Sequence, residues 1–320
     1  IYSLLYPGIV LPPAGTHSEA SATVVLHHGG WRVGAAHYSA WLKSVGAGKH
    51  EPDWFLQQTH SKASFWFPSA AAVAASKQSG VGMTSFTQML EYFFSSEVDM
   101  LEAAMWWEMP EPDAWNFPSF GADGVFQIRD DLGGATALAE GIARVQASGR
   151  RVQLYVSADI AHRGSSLFNV TWPASRWAQW WGAGGPDQSN PNDGTAYKWN
   201  ATYICHAYNP WQQAVADAVA RTITATGCDG VRLDGLGNFH HAPCLNKAHA
   251  HAHPYSNQGL VADLNILSAV RAGMDALPGG TAKLLSTEGF ADHYNLHAGT
   301  ALVSWVGYPA GNEISVSRVT

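Results

Sequence analysis

The feature that most constrains this chain is the order in which its apolar segments recur. From Ala63 onward, short apolar runs alternate with longer segments whose apolar residues repeat at helical spacing. Ala63–Phe67, Met100–Trp107, Arg151–Ser157, Gly230–Asp234, Lys283–Thr287 and Ala301–Val306 read as strands. Thr84–Ser95, Leu132–Ser148, Trp211–Thr226 and Leu260–Leu277 read as helices between them, several closed by a glycine such as Gly149 or Gly227. Strand then helix, repeated, is the pattern of a parallel sheet covered by helices. The expected fold class is therefore α/β, a (β/α)8 TIM-type barrel. About six strands are found where closure takes eight, so the barrel either stops short at its C-terminal end or holds two unrecognised strands.

Residues 1–60 differ. They read as an entry segment, the end of an upstream β domain, with a strand at Thr23–Leu26 and a helix at Ala35–Val45; residues 61–320 read as the barrel. The chain opens at Ile1 without a charged leader, which suggests a piece processed or excised from something longer.

Composition narrows the function. Only 13% of residues are charged and the net charge is −7, which speaks against a nucleic-acid footprint. No apolar run reaches the roughly 18 residues of a membrane helix. No Gly-x-Gly-x-x-Gly, Walker loop or Gly-x-Ser-x-Gly elbow follows a strand, so dinucleotide, nucleotide and serine-hydrolase chemistry are disfavoured, and no cofactor is expected. Among the three cysteines, Cys228 precedes a strand and reads as a buried small hydrophobe, whereas Cys205 and Cys244 stand in loop-like sequence and are disulfide candidates. Asn169-Val-Thr and Asn200-Ala-Thr are N-glycosylation sequons. Together these suggest a secreted or extracellular protein.

In a parallel barrel, reactive side chains project from the C-terminal strand ends. Two such ends carry acids. In Cys228-Asp-Gly-Val-Arg-Leu-Asp234, alternation puts Arg232 and Asp234 on one face, so the guanidinium can hold the carboxylate ionised. In Lys283-Leu-Leu-Ser-Thr-Glu288-Gly, an apolar strand runs into a single acid among aromatics, where desolvation suits a general acid. Carboxylates on consecutive strands can stand about 5–5.5 Å apart, the separation of retaining glycosidases. Asp234 is then the nucleophile, Glu288 the acid/base and Arg232 the residue that orients Asp234.

Substrate-binding candidates surround these acids. Trp106 and Trp107 stand at the end of the second predicted strand, and Trp305 next to the end of the last; an indole face can stack on a pyranose. Glu108, Asp159, His162, His249 and His251 could hydrogen-bond sugar hydroxyls. The alternating His249, His251 and His253 could instead hold zinc, but no acid lies at ligand spacing within that run, so no metal is expected.

Gly-Val-Arg-Leu-Asp234 resembles the nucleophile strand of the α-amylase superfamily, glycoside hydrolase family 13, where an Arg precedes the nucleophilic Asp by two. That resemblance implies the same roles for Arg232 and Asp234, and an acid/base role for Glu288. More of the chain resembles an uncharacterised group of glycosidase-like barrel proteins, distantly similar to endo-α-N-acetylgalactosaminidases. The matching stretches are Gly30-Trp-Arg…Tyr38-Ser-Ala-Trp41, Gly149-Arg-Arg-Val-Gln-Leu-Tyr155, Gly227-Cys-Asp-Gly-Val-Arg-Leu-Asp234, Cys244…His249-Ala-His251 and Ser286-Thr-Glu288-Gly. The amylase pattern departs at the third strand, Val152–Ser157, where its Asp is missing, and at a third acid beyond strand seven. The implied function is a retaining glycoside hydrolase acting on α-linked oligo- or polysaccharides. The competing reading is a non-catalytic barrel, carbohydrate-binding or structural, that self-assembles or joins an extracellular surface assembly.

Overall fold

The computed structural model describes residues 28–44, 50–57, 62–92, 98–108, 126–158, 160–162, 201–236, 259–288, 298, 300–303 and 314–316. The strands are β1 (Lys62–Trp66), β2 (Met100–Ala104), β3 (Arg151–Ser157), β4 (Ile160–His162), β5 (Ala201–Tyr203), β6 (Gly230–Asp234), β7 (Leu284–Thr287), β8 (Thr300–Val303) and β9 (Ile314–Val316). The main sheet runs β1-β2-β3-β6-β7-β8-β9. Its first six strands are parallel and β9 is antiparallel to β8. β4 and β5 pair antiparallel as a small separate sheet within the connection from β3 to β6. The α/β pattern is thus present, whereas a closed eight-stranded barrel is not seen among the described residues.

The helices are α1 (Trp31–Ser44), α2 (Asp53–Leu56), α3 (Ala70–Ser79), α4 (Phe86–Tyr92), α5 (Gly134–Ala147), α6 (Asn209–Thr226) and α7 (Gly259–Asp275). The helices α5 and α6 each bury one stripe. Leu138, Ile142 and Val145 do so in α5, and Trp211, Val215, Val219 and Ile223 in α6. α6 starts with Pro210 in its first turn and stops at Gly227, whose φ of 67° breaks the helix and turns the chain into β6. α4 packs on α5, and α6 on α7. One apolar cluster joins these helices to the sheet.

Residues 50–57 belong with the sheet. Trp54 and Phe55 of α2 pack on Met100 and Leu284, which stand at strand starts. The Trp54 indole donates to the Ala282 carbonyl at 2.8 Å, and the Arg151 guanidinium lies over its ring. This closes the N-terminal end of the sheet, opposite the end that carries Asp234 and Glu288. Thr23–Leu26 lies outside the described residues.

Boundaries moved for physical reasons. The strand expected through Trp107 ends at Ala104 because Met105 adopts φ 62°, a left-handed turn that stops the ladder. The Ala-rich stretch after Ser69 is helical: the Ser69 hydroxyl accepts from the Ala72 N–H, capping α3.

Candidate functional site

The site grows from the residues that β2, β3 and β6 turn to one side of the sheet. Pairing aligns Glu102 with Gln153 and Gly230, Tyr155 with Arg232, and Ser157 with Asp234. Side chains two residues apart on a strand share a face. Glu102, Arg232 and Asp234 therefore climb that face in successive steps toward the C-terminal end.

The polar contacts follow this staircase. Arg232 Nε lies 3.0 Å from Glu102 Oε1, a charge contact rather than an aligned hydrogen bond. Its Nη1 lies 3.4 Å from Asp234 Oδ1. The guanidinium carbon sits 4.8 Å from the centre of the Tyr155 ring, a cation–π distance. The Tyr155 hydroxyl donates to Asp234 Oδ2. Glu102 and Arg232 are almost wholly buried, their side chains 3% and 8% exposed, while Asp234 at 16% keeps access to solvent.

Electrostatics fix the protonation of two of these groups. Burial alone would lower the Arg232 pKa, but the surrounding carboxylates, Glu102 first and then Asp234, outweigh it and raise the group above its ordinary range. Arg232 is a permanent cation. Burial, reinforced by the negative charge of Asp234, pushes the Tyr155 phenol well above its usual range, so it stays a protonated donor.

Glu288 stands one residue past β7, beside the end of β6. Its backbone N–H donates to the Leu233 carbonyl, and its Oε2 accepts from the Gly235 N–H, both at 3.1 Å. Gly235, with φ 83°, turns the chain immediately after Asp234. The Glu288 carboxylate is thereby anchored to the residue that follows Asp234. The Arg232–Asp234 contact, expected from alternation, is present.

Three expected ligand contacts are corrected. Trp106 and Trp107 are fully buried and offer no face to a sugar. The Met105 turn sends both inward. The Trp106 indole donates to the Tyr155 carbonyl at 2.9 Å, and Trp107 stacks on the Tyr155 ring with centroids 5.9 Å apart, backed edge-on by Phe126. They form the wall behind Tyr155. Glu108 is also structural: its Oε1 accepts from the Asp130 N–H at 2.8 Å and caps the turn that leads into α5.

Asp159, His249, His251, Trp305, Cys244, Asn169 and Asn200 lie outside the described residues. His162 is placed by its backbone alone, as the last residue of β4. Cys205, the proposed partner of Cys244, is buried. Among the described residues no group of three His, Cys, Asp or Glu is placed to hold a metal, and no helix is long and apolar enough to cross a membrane.

Sequence reasoning assigned no role to Tyr155 or Glu102. Nothing local marks a Tyr inside Val-Gln-Leu-Tyr-Val; the signal available was its parity with Gln153 on the inward face. It also missed His206, whose Nδ1 lies 2.6 Å from Asp263 Oδ1, both buried. That contact ties the segment after β5 to α7.

The fold is one shared with solved glycosidase structures. An α-amylase from Geobacillus thermoleovorans, complexed with acarbose, matches 80% of this chain and 52% of its own with a TM-score of 0.50 and 11% identity. A GH36 α-galactosidase from Geobacillus stearothermophilus, in complex with stachyose, matches 83% of this chain and 33% of its own with a TM-score of 0.51 and 8% identity. An α-galactosidase from Thermus thermophilus, also with stachyose, covers 83% of this chain and 47% of its own at 12% identity and a TM-score of 0.47. The chain thus spans between about a third and about half of these solved structures. The chain itself belongs to the family DUF6259, a domain of unknown function, whose sequence profile matches residues 17–302. No curated protein sequence matches it significantly.

Proposed function

We propose that this protein is a retaining glycoside hydrolase for α-linked sugars. Asp234 attacks the anomeric carbon, and Glu288 protonates the leaving oxygen and later takes a proton from the incoming water. The observation that carries this reading is the pairing of Asp234, gripped by Arg232 and Tyr155, with Glu288, hydrogen-bonded to the next residue along. Arg232 keeps a negative charge on Asp234. Glu102 balances most of the Arg232 cation, so the site favours the positive charge that builds up on the sugar ring. The fold shared with an α-amylase and a GH36 α-galactosidase supports the class. The sequons at Asn169 and Asn200 support action outside the cell.

A panel of aryl α-glycosides and oligosaccharides tests the assignment, with product anomers followed by NMR. Wild type should release the retained anomer. Glu288→Gln should lose roughly 100- to 10,000-fold on poor leaving groups, and Asp234→Asn should be inactive. Wild-type turnover that survives both substitutions refutes the roles. A protein that binds these sugars but never cleaves them supports a non-catalytic barrel instead.

A further inference from the structure

β1 divides its side chains cleanly between two faces. Phe65 and Phe67 turn toward the helices: their ring centroids lie 5.0 Å apart, and Phe67 meets Phe86 of α4 at 4.8 Å. Ser64 turns the other way, and its hydroxyl donates to Glu102 Oε1 at 3.4 Å. Alternation then puts Trp66 on the face that carries Glu102, Arg232 and Asp234. Trp66 is the last residue of β1, as Asp234 is of β6, so both stand at the same end of the sheet. Pairing fixes the level of Trp66. It lies beside Ala104, and the row continues through Tyr155 to Arg232. Ala104 adds only a methyl group to that row. Trp66 is 44% exposed, whereas Trp106 and Trp107 are fully buried behind Tyr155. β1 and β6 are three strand spacings apart, about 14 Å measured along the sheet.

We propose that Trp66 is a substrate-binding residue, whose indole face stacks on a sugar ring neighbouring the one attacked at Asp234. This rests on the glycosidase reading above. A pyranose presents a face of C–H groups, and an indole offers it a flat apolar partner at small cost in conformational freedom. The separation along the sheet sets which ring it meets: a sugar within reach of Asp234 leaves Trp66 to the next unit of the chain. The contact is the same in the ground state and the transition state, so it acts on affinity rather than on the chemical step. The substrate class this defines is an α-linked chain of at least two sugar units, with the second held over β1.

Binding without turnover is read by fluorine NMR on protein carrying 5-fluorotryptophan, in the Asp234→Asn background so that the sugar stays whole. The Trp66 resonance, one of 14, is assigned by its loss in Trp66→Phe. Titration with a panel of α-linked trisaccharides should shift it to saturation with the best binder. Trp66→Ala should weaken that binding roughly 10- to 100-fold, the effect of losing one buried indole face, and Trp66→Phe, which keeps a ring, should lose much less. In the otherwise wild-type enzyme, Trp66→Ala should raise KM for the trisaccharide and leave kcat nearly unchanged. On the matching α-glycosyl fluoride, a single ring, it should change neither. A Trp66 signal that stays put while the trisaccharide binds or is cleaved overturns the proposal, as does an equal loss on the fluoride or a loss in kcat alone. So does a Trp66→Ala protein with altered melting or oligomeric state but unchanged sugar affinity, which makes Trp66 a strand-edge contact. Trisaccharide that shifts Trp66 but is never cleaved by wild type removes the glycosidase reading and leaves the stacking site standing. A protein that neither binds nor cleaves any member of the panel loses both.

Discussion

Glu102 is the least accessible member of the charged staircase, and changing its charge alone gives the sharpest test of how the site is held together. Glu102→Gln keeps the side chain's shape and removes the charge that faces Arg232 at 3.0 Å. With an effective dielectric constant of about 20, opposite charges at that distance attract by about 5 kcal/mol. Breaking one partner out of a buried pair costs about 3–5 kcal/mol in practice. Here Asp234 stays 3.4 Å from the same guanidinium and takes up part of the load. The expected loss is therefore about 3 kcal/mol, at the low end of that range. Urea unfolding followed by tryptophan fluorescence measures it, as a lower midpoint with an unchanged slope. The second measurement is Arg232→Met in the Glu102→Gln background. Removing the stranded cation should recover part of the loss, giving a coupling of about 1–3 kcal/mol between the two positions. A loss under about 0.5 kcal/mol in Glu102→Gln, or strict additivity in the double variant, would refute the idea that Glu102 is the counter-charge of Arg232.

Other outcomes follow from the same structure. Burial pushes the Cys228 thiol, ordinarily near 9, up to about 11. The folded state therefore holds this proton more tightly, and the stability it lends is complete below pH 9 and lost as pH rises through 11. Over that window Cys228→Ala should lose up to about 3 kcal/mol less than wild type in denaturant titrations; identical pH slopes would count against it. At Gly230 an added Cβ would stand 2.4 Å from the Leu284 carbonyl oxygen, so Gly230→Ala should push β6 from β7. Circular dichroism should show a large loss of thermal stability, and a variant as stable as wild type would contradict the close approach.

The elements most visible in the sequence were those with a local cause. β3 and β6 have the expected bounds because β-branched and aromatic runs sit between clear stops, and α6 ends at Gly227 as expected. The pairing of Arg232 with Asp234 needed only strand alternation. What the sequence did not reveal depended on distant contacts. The end of β2 is set by the backbone of Met105, a residue with no preference for that conformation. Trp106 and Trp107 looked like loop aromatics because nothing nearby announced that Tyr155, on another strand, would be their partner. Glu108 looked like a ligand for hydroxyls because its true partner, the Asp130 N–H, lies across an intervening segment. Polar residues on β strands were the harder case. Glu102 is fixed by a charge on β6, and Gln153 by the Ser286 hydroxyl on β7 at 2.7 Å, so neither could be assigned from its own strand.

The charged steps along the inner face also govern how the chain finds its fold. Parallel strands that are apolar on both faces can slide past one another by two residues with little penalty, because every side chain still meets an apolar neighbour. Here a slip of β6 by two would carry Arg232 away from Glu102 and set Asp234 at the level of the Tyr155 ring rather than its hydroxyl. Each misaligned form would bury a charge without its partner. The residues that grip the carboxylate thus double as a proofreading device for strand assembly, and a substitution that spares the chemistry could still be punished during folding.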